Sequence, residues 1–289
     1  EAGCRQYHVG QLCGLGQEEV LDYQEVELFQ GLPPARAIGG RIGLHDVERV
    51  NAIRGDTAGI GSRHRFCRFE AVHRSRRTHQ PAYPRLKPGG VHFGGRIAFD
   101  QQGYLFFTIG ERGQGPHAQD VTRPNGKVHR IHDDGRVPAD NPFVKQADAC
   151  PTIWSYGHRN PQALAFHPVT GNLYDAEHGP RGGDEVNLVR KGLNYGWPVI
   201  SYGMNYDGTT LTELTTKEGM EQPRYYWDPV IAPSGLAFYN AALFPQWKGS
   251  VFVGALRGSM LDRLTIKDNK VVDEEPMLVD LKSRVRDVR

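Results

Sequence analysis

The sequence predicts an all-β domain, and three observations support that class. Strand-like apolar stretches recur from residue 89 onward, each followed by a polar turn that contains Gly or Pro. Gly (35) and Pro (19) together make 54 of the 289 residues, well above the average usage of about 12%. One unit also repeats three times, which indicates an architecture built from similar sheets.

The repeated unit is an apolar strand that ends in Ala-Phe, a polar turn, and a second strand that reaches a Gly. It appears as GGRIAFDQQGYLFFTIGE, PQALAFHPVTGNLYDAEHG and PSGLAFYNAALFPQWKGSVFVGAL. Ala98, Ala165 and Ala237 mark equivalent points, 67 and 72 residues apart. A four-stranded propeller blade takes about 40–50 residues, so blades at this spacing contain long loops. Long loops on one rim of a rigid scaffold are where sites are built.

The second copy of the unit contains the most unusual chemistry. Strands are predicted at Ala163–Phe166 and Asn172–Ala176, with a turn at Pro168–Gly171 between them. A Gly-rich loop that contains Asp184 and Glu185 follows. This pattern is one hairpin of a larger β array, with polar residues in its loops.

Residues 1–85 show no clean alternation of apolar and polar positions. Residues 17–29 (QEEVLDYQEVELF) fit a short helix or an edge strand. Residues 62–80 (SRHRFCRFEAVHRSRRTHQ) are dense in Arg and His, which fits a solvated segment or a nucleic-acid patch. A third interpretation is an aberrant or replaced N-terminal part.

The bulk composition excludes several classes of partner. A net charge of +2 over 35 basic and 33 acidic residues gives no global field for nucleic acid or a membrane surface. No apolar run approaches the ~18 residues of a membrane span, and no signal peptide is visible. The sequence has four widely spaced cysteines, Cys4, Cys13, Cys67 and Cys150. None of them forms a C-x-x-C pair, so neither a zinc site nor a disulfide framework is predicted.

Three phrases, GHRNPQALAF, EHGPRGGDEVNL and KGLNYGWP, occur in this order. Together they resemble the soluble quinoprotein sugar dehydrogenases, the aldose and glucose dehydrogenases that use pyrroloquinoline quinone (PQQ) and calcium on a six-bladed β-propeller. The resemblance covers about Leu86 to Arg289. It implies an unmatched segment at 1–85 and an incomplete propeller at 86–289, with three to four recognisable blades and without the hairpin that closes the ring.

The resemblance implies that the chain oxidises the C1 hydroxyl of aldose sugars to lactones. His92 of VHFGGR matches the general base that takes the hydroxyl proton while hydride leaves C1 for the quinone. Relatives usually have Asp or Asn before this histidine, where Val91 stands in this chain. Glu111 and Gln114 match positions near the cofactor, and a solvated loop is the alternative for both.

PQQ has three carboxylates, so a site for it needs several cations. Arg159 and Asn160 match cofactor contacts of the family. Arg284 and Arg286 are two residues apart and would point the same way on a strand. Arg257 falls where relatives mostly have Lys. Trp227 fits either a ring that stacks on the quinone or a core aromatic.

Calcium prefers oxygen ligands, including main-chain carbonyls. The resemblance implies that the carbonyls of Gly179 and Pro180 hold the Ca²⁺ that bridges to PQQ. Glu185 and Tyr195 match a second, structural calcium site, and Asp184 is an alternative to Glu185.

The partners implied are an aldose substrate and an external electron acceptor, with a homodimer left open. The implied location is periplasmic or secreted. Two other functions fit the sequence: a calcium-dependent propeller hydrolase of the lactonase kind, with acidic or Asn side chains around an axial metal, and a non-catalytic propeller-derived binding module.

Overall fold

The computed structural model describes residues 90–289 and strand β1 (Gln24–Val26); the other expectations for residues 1–85 concern positions outside this part of the chain. Three four-stranded antiparallel sheets make up most of it. The first contains β2 (Ile97–Phe99), β3 (Leu105–Ile109), β4 (Lys127–Ile131) and β5 (Ile153–Tyr156). The second contains β6 (Pro161–Phe166), β7 (Leu173–Glu177), β8 (Asp184–Val189) and β9 (Tyr225–Trp227). The third contains β10 (Pro233–Phe238), β11 (Val251–Ala255), β12 (Met260–Lys267) and β13 (Lys270–Met277).

The first strand of each sheet is an inner strand of the assembly. β6 contacts both β2 and β10, and β14 (Val285–Val288) contacts β10 and pairs in parallel with β1. Ala98, Ala165 and Ala237 lie on the three inner strands, so the repeat marks equivalent positions as predicted. Sheets of consecutive strands that meet along their first strands are the blades of a β-propeller. The all-β class and the β-propeller are confirmed, and the described residues contain three four-stranded blades and the β1–β14 pair.

The core lies between neighbouring sheets. Tyr174 and Val253 are fully buried between the second and third sheets, and Phe106 packs with Leu164 between the first and second. Burying one such side chain stabilises the fold by about 1.5–3 kcal/mol. These contacts therefore fix the spacing of the inner strands and of the loops between them.

Two local expectations change with the structure. Asp184 and Glu185 begin β8, where Glu185 pairs across the ladder with Glu177 of β7, so the predicted loop is wrong at these positions. Gly182 and Gly183 signal a turn, but the hydrogen bonds to β7 and β9 override the low β propensity of the acidic pair. For residues 17–29, β1 corresponds to the edge-strand alternative.

Helical structure in residues 90–289 is limited to single 3₁₀ turns, at Gly115–Ala118, Pro245–Trp247 and Val279–Leu281. Across the described residues, no helix has the length and apolar character needed to cross a membrane.

β14 packs closely on the inner strands. A Cβ on Gly235 of β10 would lie 2.4 Å from Oδ1 of Asp287 and 2.5 Å from the amide nitrogen of Val288. Asp287 Oδ1 also pairs with Arg96, which precedes β2, at 3.0 Å from Nη1. A glycine at 235 thus allows β10, β14 and the start of the first sheet to meet.

We expect Gly235→Ala to push β14 away and to lower the free energy of unfolding by roughly 1–3 kcal/mol, the usual cost of overpacking. Gly90→Ala is the matched control, because a Cβ at Gly90 meets no atom within 4 Å. Chemical denaturation followed by Trp fluorescence measures the difference. Equal stability of the two variants would mean that β14 does not pack on β10 in this way.

Candidate functional site

One edge of the propeller, which we call the rim, collects the loops that adjoin the inner strands. In an antiparallel hairpin the second strand ends beside the start of the first. The segments after β3 and β7 therefore lie beside those that precede β2, β6 and β10. Six of the predicted site residues are in these segments: His92, Gln114, Arg159, Asn160, Gly179 and Pro180.

His92 is held by a buried carboxylate. Its Nδ1 hydrogen-bonds to Oε1 of Glu111, and its carbonyl oxygen accepts from Arg112 Nη1 at 2.8 Å. Glu111 is only 1% exposed, and its Oε2 has no hydrogen-bond partner among the described residues. Glu111 thus orients the imidazole, whereas the residue directly before the histidine, Val91, has no polar side chain to do so.

The segment that contains His92 is tied to the one that contains Arg159. Oδ1 of Asn160 accepts the N–H of Gly94 at 2.8 Å, and the Arg159 carbonyl accepts the N–H of Glu111 at 2.9 Å. A Cβ on Gly94 would lie 2.3 Å from the Pro161 carbonyl oxygen, so the approach requires glycine. The structure therefore brings His92, Arg159 and Asn160 together, as predicted, although the amide oxygen of Asn160 already has a main-chain partner.

Arg159 is 5% exposed and is fixed on several sides. Nη1 donates to the His178 carbonyl at 3.0 Å, and Nη2 to the Tyr206 hydroxyl at 3.4 Å. The guanidinium lies over the ring of Trp197, 5.0 Å from its centroid, an arrangement that favours a cation. Nε is buried and has no partner among the described residues. Arg159 is therefore an oriented cationic donor whose Nε–H is available to a ligand.

His178 shows that these groups share one environment. Nε2 of His178 donates to the Pro233 carbonyl at 2.7 Å. Burial, together with the nearby charge of Arg159, lowers the pKa of His178 to about 4, although the hydrogen bond to Pro233 acts in the opposite direction. The imidazole of His178 is thus neutral, and the cationic character of the rim resides in its arginines.

A small pocket of about 20 Å³, open to solvent at its mouth, adjoins this rim. Its wall includes the predicted metal residues Gly179, Pro180, Glu185 and Tyr195 together with Arg159. Burial raises the pKa of Glu185 well above its usual range, and the neighbouring carboxylates of Glu177 and Asp175 raise it further. Nearby positive charge would stabilise the ionised form of Glu185.

Glu177 and Asp175 form a buried acidic cluster with His158 behind the pocket. Nδ1 of His158 lies 3.1 Å from Glu177 Oε1 and 3.3 Å from Asp175 Oδ2. Burial alone would lower the pKa of His158, but these two carboxylates raise it to about 9. Burial raises the pKa of Asp175 to about 6. Ligand atoms of the three residues lie within 4.8 Å of one another, a spacing suited to a metal ion.

Two of the residues predicted as metal ligands, Tyr195 and Asp184, already have hydrogen-bond partners. The Tyr195 hydroxyl donates to the Leu188 carbonyl at 2.5 Å and accepts from the Arg190 N–H at 2.8 Å. Both carboxylate oxygens of Asp184 accept main-chain N–H groups, from Gly179 at 2.8 Å and Ala232 at 2.7 Å. These bonds tie Asp184 to two main-chain segments, whereas Glu185 lines the pocket.

The other predicted cofactor residues lie outside the pocket wall. Arg257 is exposed and its N–H donates to the Ile231 carbonyl at 2.9 Å, which places it at the rim of the third sheet. Arg284 is exposed just before β14, and Arg286 is partly buried within it. Gln114 is exposed in the loop after β3. None of these four residues lines the pocket.

The stacking role predicted for Trp227 is wrong. Its ring is buried in the core between the second and third sheets. Nε1 donates to Asp262 Oδ2 at 2.9 Å and to Glu274 Oε1 at 3.0 Å. A buried indole needs such partners, so Trp227 is the core aromatic that the sequence left as its alternative.

The sequence did not indicate three residues that the structure places beside Arg159: Trp197, Tyr206 and Glu177. Trp197 is in KGLNYGWP and Glu177 is in EHGP, so the motifs pointed to the segments without separating these side chains. Tyr206 is 73% exposed in a polar loop, where no periodic pattern distinguishes it.

Comparisons with known proteins agree with this arrangement. The family model described as Glucose / Sorbosone dehydrogenase matches residues 65–289. The aldose sugar dehydrogenase YliI of Escherichia coli (strain K12) is 47% identical over 208 residues, which cover 71% of this chain and 56% of that protein.

Two solved structures are also similar. The soluble aldose sugar dehydrogenase from Escherichia coli, in its apo form, is 45% identical with a TM-score of 0.68, over 70% of this chain and 59% of that one. The PQQ-bound aldose sugar dehydrogenase from Streptomyces coelicolor is 31% identical with a TM-score of 0.57, over 71% and 55%. The chain thus spans little more than half the length of these relatives. On its sequence and its fold, it belongs to the glucose/sorbosone dehydrogenase family.

Proposed function

We propose that the protein oxidises the C1 hydroxyl of aldose sugars to lactones, with PQQ and Ca²⁺ in the rim site. The observation that supports this most is the convergence of His92 and its carboxylate, Arg159, and the Gly179–Pro180 loop at one rim. The relatives named as aldose sugar dehydrogenases, one of them PQQ-bound, support the same substrate class and cofactor.

The residues present fit a flat polyacid. The unused, buried Nε of Arg159 is a donor that an anionic ligand would satisfy. Arg257, Arg284 and Arg286 would add positive charge from the third sheet and β14. Asn160 and Gln114 would contact the cofactor from the loops beside His92.

The residues also fit calcium. The Arg181 N–H donates to the Met204 carbonyl at 3.0 Å. Because a trans peptide points its C=O away from its N–H, the Pro180 carbonyl faces away from Met204. With Gly179 it would supply main-chain oxygens to Ca²⁺. A second Ca²⁺ would bind the Glu185 carboxylate and, since the Tyr195 hydroxyl already has partners, the main-chain carbonyl of Tyr195.

In this mechanism His92 is the general base. Glu111 occupies Nδ1, so Nε2 is the nitrogen that takes the proton of the C1 hydroxyl. The Glu111 carboxylate then stabilises the imidazolium without moving. When bound, PQQ supplies the two-electron acceptor for the hydrogen on C1, with Ca²⁺ as a Lewis acid. Arg159, held by His178 and Trp197, orients the cofactor against His92.

The same proposal includes an external electron acceptor and a periplasmic or secreted location, and leaves a homodimer open. The lactonase alternative needs an axial metal that substrate and water can reach. His158, Asp175 and Glu177 are the cluster with metal-ligand spacing, but all three are buried. Their burial favours a structural role over hydrolysis.

His92→Ala is expected to lower kcat for glucose oxidation by about 10²–10⁴-fold, the usual contribution of a general base, with PQQ affinity retained. Glu111→Gln keeps the shape of the side chain that contacts His92 but removes its charge, so a smaller loss of kcat is expected. A dye-linked assay at saturating PQQ and Ca²⁺ measures both. Unchanged turnover in His92→Ala would remove His92 from the mechanism.

Arg159→Lys should weaken PQQ binding by about tenfold or more, because a point donor replaces a planar fork. Arg136→Lys is the control, since this guanidinium is 72% exposed and pairs with Asp134 on a turn of the first sheet. Equilibrium titration followed by PQQ absorbance compares the two. Equal affinities would contradict the role of Arg159.

Chelation of Ca²⁺ is expected to lower Tm, and added Ca²⁺ to restore it, because an ion that binds only the folded state stabilises it. Glu185→Gln should remove most of the Ca²⁺-dependent rise in Tm, whereas the exposed Glu218→Gln should not. Differential scanning fluorimetry gives the shifts. A Glu185→Gln protein with the full response would exclude a site at this carboxylate.

A further inference from the structure

Asp184 joins two rim loops that belong to different sheets. Its carboxylate is 1% exposed, and each oxygen accepts one main-chain N–H. The Gly179 N–H, at 2.8 Å, belongs to the loop after β7 of the second sheet. The Ala232 N–H, at 2.7 Å, belongs to the segment before β10 of the third sheet. One side chain therefore connects neighbouring blades at the rim.

The first of these bonds orients Arg159. The N–H of Gly179 and the carbonyl of His178 share one trans peptide plane and point in opposite directions. Asp184 holds the N–H side, and the carbonyl side accepts Nη1 of Arg159 at 3.0 Å. Rotation of this peptide would break both bonds together.

The second bond, to the N–H of Ala232, fixes a peptide that contacts the backbone of Arg257. The N–H of Ala232 shares a trans peptide with the carbonyl of Ile231. That carbonyl accepts the N–H of Arg257 at 2.9 Å and that of Gly258 at 3.0 Å. Asp184 therefore acts through one peptide on the side chain of Arg159 and through another on the backbone of Arg257.

From this symmetry we infer that Asp184 is a positioning residue that sets the spacing of Arg159 and Arg257 across the boundary between two blades. The inference rests on the proposed function, in which both arginines bind the cofactor. A carboxylate suits the task because it offers acceptors on both sides and no donor. An Asn would present its NH₂ to one of the two N–H groups, and the hydrogen bond to that N–H group would be lost.

The test is Asp184→Asn, studied first without cofactor by NMR hydrogen exchange. We expect about tenfold faster exchange at the amides of Gly179 or Ala232, and at those of Arg257 and Gly258, together with PQQ affinity about tenfold weaker. Asp262→Asn is the matched control: it is also fully buried, but it accepts from Trp227 in the core. It should lower Tm while leaving rim exchange and PQQ affinity unchanged.

Amide exchange at the wild-type rate at the rim of Asp184→Asn would overturn the inference. Faster rim exchange in Asp262→Asn as well would also overturn it. If Asp184→Asn does not fold, Asp184→Glu keeps the charge and both acceptors but displaces them by one methylene. Faster exchange at Ala232 and Arg257 is then expected, and wild-type exchange would count against it. A wild-type protein that does not bind PQQ refutes the proposed function alone, because exchange without cofactor still decides the role of Asp184.

Discussion

The site depends on hydrogen bonds from main-chain N–H groups at the rim to buried carboxylates. Glu177 accepts the N–H of Arg159 at 2.7 Å and that of Asn160 at 3.3 Å, as Asp184 does for Gly179 and Ala232. A hydrogen bond to a charged group contributes about 1.5–3 kcal/mol. Loops held in this way stay in place relative to the strands, so the groups they present are oriented before a ligand arrives.

This arrangement has an electrostatic cost that is concentrated in the second sheet. Burial raises the pKa of Asp184 to about 6, although its bonds to main-chain N–H groups act in the opposite direction. Asp175, Glu177 and Glu185 are close together, and the cation among them is His158. Folded-state carboxylates that lack sufficient positive charge favour the binding of a cation. Metal binding at Glu185 would then be coupled to the stability of the sheet that positions Arg159.

The sequence predicted the parts of the fold that follow from local pattern. The Ala-Phe repeat located all three inner strands because the alternation of a half-buried strand is encoded within a few residues. The strand formed by Asp184 and Glu185 was missed because it is also paired with β9, where the partner of Asp184 is Trp227, 43 residues later in the chain. Trp227 was ambiguous for a related reason: its partners Asp262 and Glu274 are 35 and 47 residues away.

For the candidate site, motif phrases found the segments but not the division of labour within them. His92, Arg159 and Asn160 lie together, yet the group that orients His92 is Glu111, 19 residues along the chain. The motif itself contains no such group beside the histidine, whereas the antiparallel hairpin places the end of β3 against the segment before β2. Hence a substitution at Val91 need not remove the orienting interaction. The geometry of the rim is set by peptide planes and a few buried acids, so the backbone of Arg257 is placed by contacts that do not involve its own side chain.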